Sequence, residues 1–370
     1  MAVAKDCLFL TVGPRFLVYD AATGRRRGEF RNPSLEALSP PTAVGDVALA
    51  SDSRGVFAID DNGREVWQYE FGPSTIGWEN IASQPPVATR EGTILAPGPD
   101  GYVHALDRRG VRLWQTRVGV YGQGRPALAI AATADLLLLD TRMTPHDRPN
   151  LVGVDLQDAG KRIRFVINLG IDVSGLVADG RAGIVATSYV ETKSRRGAST
   201  IASFDERGIR RWTIDRGRHE AVHGISSTGD VVVVSQDAAT ASPDTVLEKW
   251  SSEGQLKSRH PLDMVVLSVL VGSDDVLYVV GCRDQAAVFQ AFHGNLSRVR
   301  PIEIQSDCPR SVTLDDRGRL FLIGTQPRTA ADEPSVDLTV VQTSSPAAAR
   351  SWAGPRAHAD GAGSFSFAER

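Results

Sequence analysis

Ala105-Leu106-Asp107-Arg108-Arg109-Gly110-Val111-Arg112-Leu113-Trp114 reads as two strands joined by a tight turn. An apolar run enters an Asp, a Gly follows three residues later, and the next strand carries a Trp. An Asp at that place accepts backbone N–H groups inside the turn, and Gly takes the positive φ that closes it. The pattern returns at Ala58-Ile59-Asp60 with Gly63 and Trp67, and at Ser203-Phe204-Asp205 with Gly208 and Trp212. One hairpin used again and again marks a repeat architecture, in which each unit hides its apolar faces only against its neighbours.

Aligning on the residue that ends the third strand of each unit gives Asp20, Asp60, Asp107, Asp155, Asp205, Ser251, His293 and Gln342. The steps between them are 40, 47, 48, 50, 46, 42 and 49 residues. A period of about 40–50 residues is that of a four-stranded propeller blade. Runs such as Leu136-Leu137-Leu138-Leu139 and Val231-Val232-Val233-Val234 are apolar on both faces, as a sheet covered on both sides requires. No stretch carries a 3.6-residue apolar period. The expected fold is all-β: one eight-bladed propeller of four-stranded antiparallel blades over residues 1–354, with seven blades as the alternative. Residues 355–370 form a tail. Its alternating segment Ser364-Phe365-Ser366-Phe367-Ala368 is expected to close the ring by pairing near the N-terminal blade, with a frayed end as the other reading.

The repeat resembles the quinoprotein-type, or PQQ-like, β-propeller repeat, whose signature is Ala-x-Asp-x-x-x-Gly-x-x-x-Trp. Ala58–Trp67 and Ala105–Trp114 match it with one residue fewer in the turn, and Ser203–Trp212 is a further match. Tyr19–Gly24 keeps the longer turn but lacks the Trp, and Ser251, His293 and Gln342 replace Asp in later units. The resemblance implies an eight-bladed ring in which Trp67, Trp114 and Trp212 dock one blade on the next. It also implies a quinone, held in the dehydrogenases of that family beneath a vicinal cysteine pair. This sequence has no Cys-Cys dipeptide, so no cofactor is expected.

Composition narrows the partners. The formal net charge over 370 residues is -3, and the two signs are interspersed. Polyphosphate binders gather Lys and Arg into a stripe, so no nucleic acid is expected as a partner. Cys7, Cys282 and Cys308 are isolated and odd in number, which suits a reducing compartment and argues against a disulfide framework. The first residues show no basic region before an apolar stretch, and no apolar run approaches the ~20 residues of a membrane span. The expected location is cytoplasmic, or periplasmic if a leader has been removed.

In a meander the joint between strands two and three lies on the same face as the crossover to the next blade. Units four, five, six and eight carry insertions at that joint, at 141–150, 190–199, 236–244 and 326–336, and the crossovers 72–86 and 215–224 are long. Tight turns on one face and elaborated loops on the other place recognition on the elaborated one. The binding-face candidates are Trp78, His146, Arg195, Arg196, His219 and His223. The last two belong to His219-Glu220-Ala221-Val222-His223, which satisfies H-E-x-x-H. That motif binds zinc when a helix brings both His to one face. Here Gly217 and Gly224 bracket it and the repeat register puts it in a crossover loop, so no metal ligand is assigned. No phosphate-cradling loop, nucleophile elbow or dinucleotide fingerprint is present, and no catalytic residue is named. The reading is a non-enzymatic scaffold that binds another protein through its loop face, with a small-molecule ligand left open. The alternative is a quinone- or metal-dependent enzyme with its site at the mouth of the central channel.

Overall fold

Each repeat folds as one antiparallel sheet in a computed structural model of the chain. The structure describes residues 1–4, 6–73, 85–89, 92–118, 130–132, 136–141, 150–158, 162–168, 172–179, 183–190, 198–216, 219–226, 229–236, 245–272, 275–284, 286–297, 302–309, 311–314, 318–325, 336–342 and 352–353. Among these residues there is no helix, and so none long and apolar enough to cross a membrane. Eight sheets are present among them. Sheet one is Ala2–Ala4, Cys7–Val12, Arg15–Asp20 and Arg26–Arg31. Sheet two is Thr42–Val44, Val47–Ser51, Gly55–Ile59 and Glu65–Glu70. Sheet three is Val87–Ala88, Ile94–Pro97, Tyr102–Leu106 and Arg112–Arg117. Sheet four is Ile130–Ala132, Leu136–Thr141, Asn150–Asp155 and Ile163–Asn168. Sheet five is Asp172–Asp179, Gly183–Val190, Ala198–Phe204 and Arg210–Arg216. Sheet six is His219–Ile225, Val231–Gln236, Thr245–Trp250 and Leu256–Leu262. Sheet seven is Val265–Val271, Leu277–Arg283, Ala286–Phe292 and Ile302–Asp307. Sheet eight is Ser311–Leu314, Arg319–Thr325 and Val336–Gln342.

Burial follows position in the sheet. The third strand of sheet two, Gly55–Ile59, is buried at every residue, whereas the fourth, Glu65–Glu70, alternates between exposed and half-buried. Arg26–Arg31 and Arg112–Arg117 alternate in the same way. The fourth strand is the sheet's edge, and the charged side chains along it discourage edge-to-edge pairing with other molecules. A one-residue bulge recurs beside the turn in sheets one to six, where the register shifts at Val18/Tyr19, Ala58/Ile59, Ala105/Leu106, Gly153/Val154, Ser203/Phe204 and Lys249/Trp250. Such bulges add right-handed twist at a fixed place in each sheet.

The chain divides into two compact units: sheets one to four lie in the first, which takes Met1–Val173 and the Glu206–Gly208 turn, and the rest of sheet five lies in the second with sheets six to eight. Inside the first, Phe9, Phe16 and Val18 of sheet one pack with Ala48, Phe57 and Ile59 of sheet two. Leu49, Val56 and Ala58 in turn pack with Ile94, Ala96 and Leu106 of sheet three. Inside the second, Val232, Val234 and Leu247 of sheet six pack with Leu277, Val279 and Phe292 of sheet seven. Val280, Phe289 and Ala291 pack with Val312, Leu320 and Leu322 of sheet eight. Each Val, Leu, Ile or Phe side chain so buried contributes roughly 1.5–3 kcal/mol, which is why the second and third strands are apolar on both faces.

The turns behave as the residues dictate. Asp107 Oδ1 accepts from the N–H of Arg109 at 2.8 Å and of Val111 at 2.9 Å, and Gly110 sits at φ 78°. Asp20 accepts from the N–H of Thr23 at 2.8 Å and pairs with Arg27. The Arg27 pair and these N–H groups hold the Asp20 carboxyl far below its ordinary value, and the N–H bonds led by that of Val111 lower Asp107. Both folded-state values lie below the unfolded carboxylate value near ~4, so their stabilisation is full above that pH and is lost as pH falls through the folded values. Urea midpoints are therefore expected to drop between about pH 4 and pH 2. Asp20→Asn should make that drop shallower. An identical acid limb in the variant would remove Asp20 from this role.

Two expectations are corrected. Cys282 and Cys308 are joined by a disulfide, with Cα atoms 5.4 Å apart, against the isolated thiols expected of a reducing compartment. The ladder explains it: Asp307 pairs with Ala286, and Ala286 pairs with Arg283, so the strand before Cys308 ends beside the end of Leu277–Arg283. His219–Ile225 is not a crossover loop but the first strand of sheet six, paired with Val231–Gln236. The expected ring-closing segment, 364–368, lies outside the described residues. Ala2–Ala4 form the first strand of sheet one.

Candidate functional site

The turn residue after the aligned position is captured by the preceding sheet. Trp67 lays its ring against Gly110, where a Cβ would come within 2.6 Å of it, and its indole N–H donates to the Arg108 carbonyl at 2.9 Å. Trp212 does the same at Gly254 and donates to the Ser252 carbonyl at 2.7 Å. In sheet six Ser258 stands where the Trp would be. There Lys249, on the third strand, reaches the equivalent carbonyl of Gly294 at 2.9 Å. Its ammonium also pairs with Asp230 at 3.2 Å, and Lys257 holds the other Asp230 oxygen at 2.6 Å. Lys249 and Asp230 are both buried, so the pair is tolerable only because every group in it is matched. Where sheets one and two meet, Gly28 replaces the aromatic, and the Asn62–Gly63 turn lies directly on its backbone. The expected docking role of Trp67 and Trp212 is thus explicit, and Lys249 performs it by a route the repeat signature does not contain.

The joints between strands two and three are used structurally in sheets two and three. Asp52, buried, accepts from Asn32 Nδ2 and Ser34 Oγ, each at 2.9 Å, and from the N–H of Arg54 and Gly55. Asp100, also buried, holds His104 Nε2 at 3.0 Å, and His104 Nδ1 meets Tyr69 Oη at 3.0 Å. With Nε2–H donating to the carboxylate, Nδ1 is left to accept from the Tyr69 hydroxyl. Phe71 stacks obliquely on the same imidazole at 5.2 Å. Both carboxylates bind neighbouring sheets together on this face, and neither is left free to take a ligand.

Of the binding-face candidates, Trp78, His146, Arg195 and Arg196 lie outside the described residues, as do the bulk of the four insertions. His219 and His223 lie on an extended strand with a bulge between Val222 and Gly224. The H-E-x-x-H zinc motif relies on a helix to bring both His to one face, and this segment is a strand. No cluster of three or more His, Cys, Asp or Glu able to hold a metal occurs among the described residues. A quinone does not fit either. The chain has no vicinal cysteine pair, and Cys282 and Cys308 are consumed in a bond to each other across 26 residues.

Residues 1–138 match the PQQ-type family model described as outer membrane protein assembly factor BamB. PQQ-like β-propeller repeats are therefore present in this chain. The crystal structure of BamB from Moraxella catarrhalis is similar at a TM-score of 0.55 and 21% identity, over 75% of this chain and 79% of that one. The Dos1 propeller is similar at 0.60 and 12% identity, over 83% and 82%. A eukaryotic initiation factor is similar at 0.57 and 10% identity, over 90% and 82%. At these identities the likeness shows the β-propeller fold. No curated protein sequence matches the chain. Neither the match nor the disulfide supports the cytoplasmic expectation, and both are consistent with the periplasmic one.

Proposed function

We propose that this protein is a non-catalytic interaction scaffold of the bacterial envelope, an eight-bladed propeller with one blade per repeat, which holds a protein undergoing assembly on its elaborated loop face. The match of residues 1–138 to an assembly-factor family carries the reading. The Cys282–Cys308 disulfide supports a compartment outside the cytoplasm, where such bonds persist. The buried carboxylates Asp52 and Asp100 support the division of labour between joints. At short joints Asp52 ties sheet two to the segment that leaves sheet one, and Asp100, through His104 and Tyr69, ties sheet three to sheet two, whereas units four, five, six and eight carry insertions at the same position. Side chains on such loops are held by a rigid scaffold and are free to meet a partner.

The test is crosslinking in intact cells followed by affinity capture, comparing the native chain with a variant in which 141–150, 190–199, 236–244 and 326–336 are shortened to Gly-Ser turns. Envelope proteins should be captured by the native chain and lost from the shortened one. Undiminished capture by the shortened chain would overturn the loop-face assignment. Capture of cytoplasmic proteins alone would overturn the envelope assignment.

A further inference from the structure

Sheet five has a fifth strand. Trp352–Ala353 pair antiparallel with its first strand, Asp172–Asp179, with Ala353 opposite Val177 and Trp352 opposite Ala178. Every other sheet among the described residues ends at its own first strand. The same two residues lie beside His219–Ile225, the first strand of sheet six. The first strand of sheet five is also long, eight residues against three in sheets one and two. A strand at a sheet edge presents a row of backbone N–H and C=O groups that will accept another strand. Among the described residues, two of its eight positions are covered. In the same register Gly354 and Pro355 would face Leu176 and Gly175, and proline has no N–H to place in a ladder.

We propose that Asp172–Asp179 is a strand-acceptor site, which binds an extended segment of a partner protein by antiparallel addition, and that Trp352–Ala353 is an internal occupant which such a segment displaces. Recognition is mainly through the backbone, so the partner is an unfolded or extended stretch of four or more residues without proline at the positions facing Gly175 and Leu176. A tethered occupant acts at an effective concentration on the order of millimolar. A competitor offering only two pairs is excluded by that tether, and one that continues the ladder to Ser174 and beyond prevails. The site therefore favours long unfolded segments over short ones. It is distinct from the loop insertions, and loss of partner capture by the shortened-loop variant would neither establish nor remove it.

The test uses the full chain. Directly opposed residues of an antiparallel pair have Cα atoms about 4.5–5.5 Å apart, within disulfide range. Val177→Cys with Ala353→Cys should therefore crosslink on oxidation, as read by peptide mass mapping. The probe is a fluorescein-labelled peptide with the sequence of residues 348–356 carrying Pro355→Val. It should bind at least tenfold more tightly to an Ala353→Pro variant, whose own tail cannot pair, than to the native chain. It should not bind the oxidised double-cysteine protein. A probe N-methylated at the Trp352 and Ala353 positions should fail to bind any form, because it lacks the N–H groups of the ladder. Absence of the crosslink, equal binding to the locked and open forms, or undiminished binding of the N-methylated probe would each overturn the proposal.

Discussion

Gly110→Ala is expected to destabilise the first unit by about 2–5 kcal/mol, with contact against a neighbouring sheet adding to the cost of the turn itself. Gly110 sits at φ 78°, and an added Cβ would meet Cδ2 and Cε3 of Trp67 at 2.6 Å. The positive φ alone costs an Ala of the order of 1–2 kcal/mol. Displacing the indole adds an overpacking cost of about 1–3 kcal/mol and endangers the 2.9 Å bond from its N–H to Arg108. Gly13 provides the control, because it has φ 56° with nothing within 4 Å of the added atom. Gly13→Ala should cost only the backbone share. A double-mutant cycle then isolates the contact: in a Trp67→Ala background, Gly110→Ala should cost little more than Gly13→Ala does. Urea midpoints of the four proteins of the cycle and of Gly13→Ala measure this. Additive losses at Trp67 and Gly110 would show that ring and turn do not act as a unit.

The same contact shows which parts of the molecule sequence could disclose. Asp107, Gly110 and Trp114 were legible because turn chemistry is local, and one hairpin predicts its own hydrogen bonds. Repetition carried that reading to the sheets. Where the signature decays, the physics persists through other residues. Ser258 replaces the Trp, and Lys249 reaches the Gly294 carbonyl 45 residues away while pairing with Asp230 on the other side of the sequence. The available signal was a Glu-Lys pair inside the apolar run Thr245–Trp250, every residue of which is buried. His104 gave a similar sign, as a lone imidazole in the buried strand Tyr102–Leu106, but its partners Asp100 and Tyr69 are set by packing and not by spacing. His219-Glu220-Ala221-Val222-His223 misled because the repeat register counted it within the crossover between sheets five and six. The segment supplies the first strand of its sheet, and Gly224 stands where the ladder is shifted by a bulge. Leu296 reverses the glycine rule, taking φ 62° at the turn position and holding it by being buried among Val232, Leu247 and Phe292.

Replacing both Cys282 and Cys308 with Ser is expected to remove about 3–4 kcal/mol, the loop-closure value for a crosslink spanning 26 residues. The closed loop contains Ala286–Phe292 and Ile302–Asp307, the third and fourth strands of sheet seven. The fourth strand is a sheet edge held by one neighbour, so the crosslink limits how far its end can open. Hydrogen exchange along Ile302–Asp307 should therefore accelerate more than along Leu277–Arg283, which has strands on both sides. Reductant should lower the urea midpoint of the native chain to that of the double variant and leave the variant unmoved. Cys7→Ser supplies the control. Cys7 is buried, and burial raises its thiol pKa, so it should not enter exchange with the other pair. Chain produced in a reducing cytosol should show the reduced midpoint until oxidised, whereas chain exported to an oxidising compartment should show the higher one at once. Two free thiols at Cys282 and Cys308 in exported protein would exclude the crosslink, and with it the structural support for a place in the envelope.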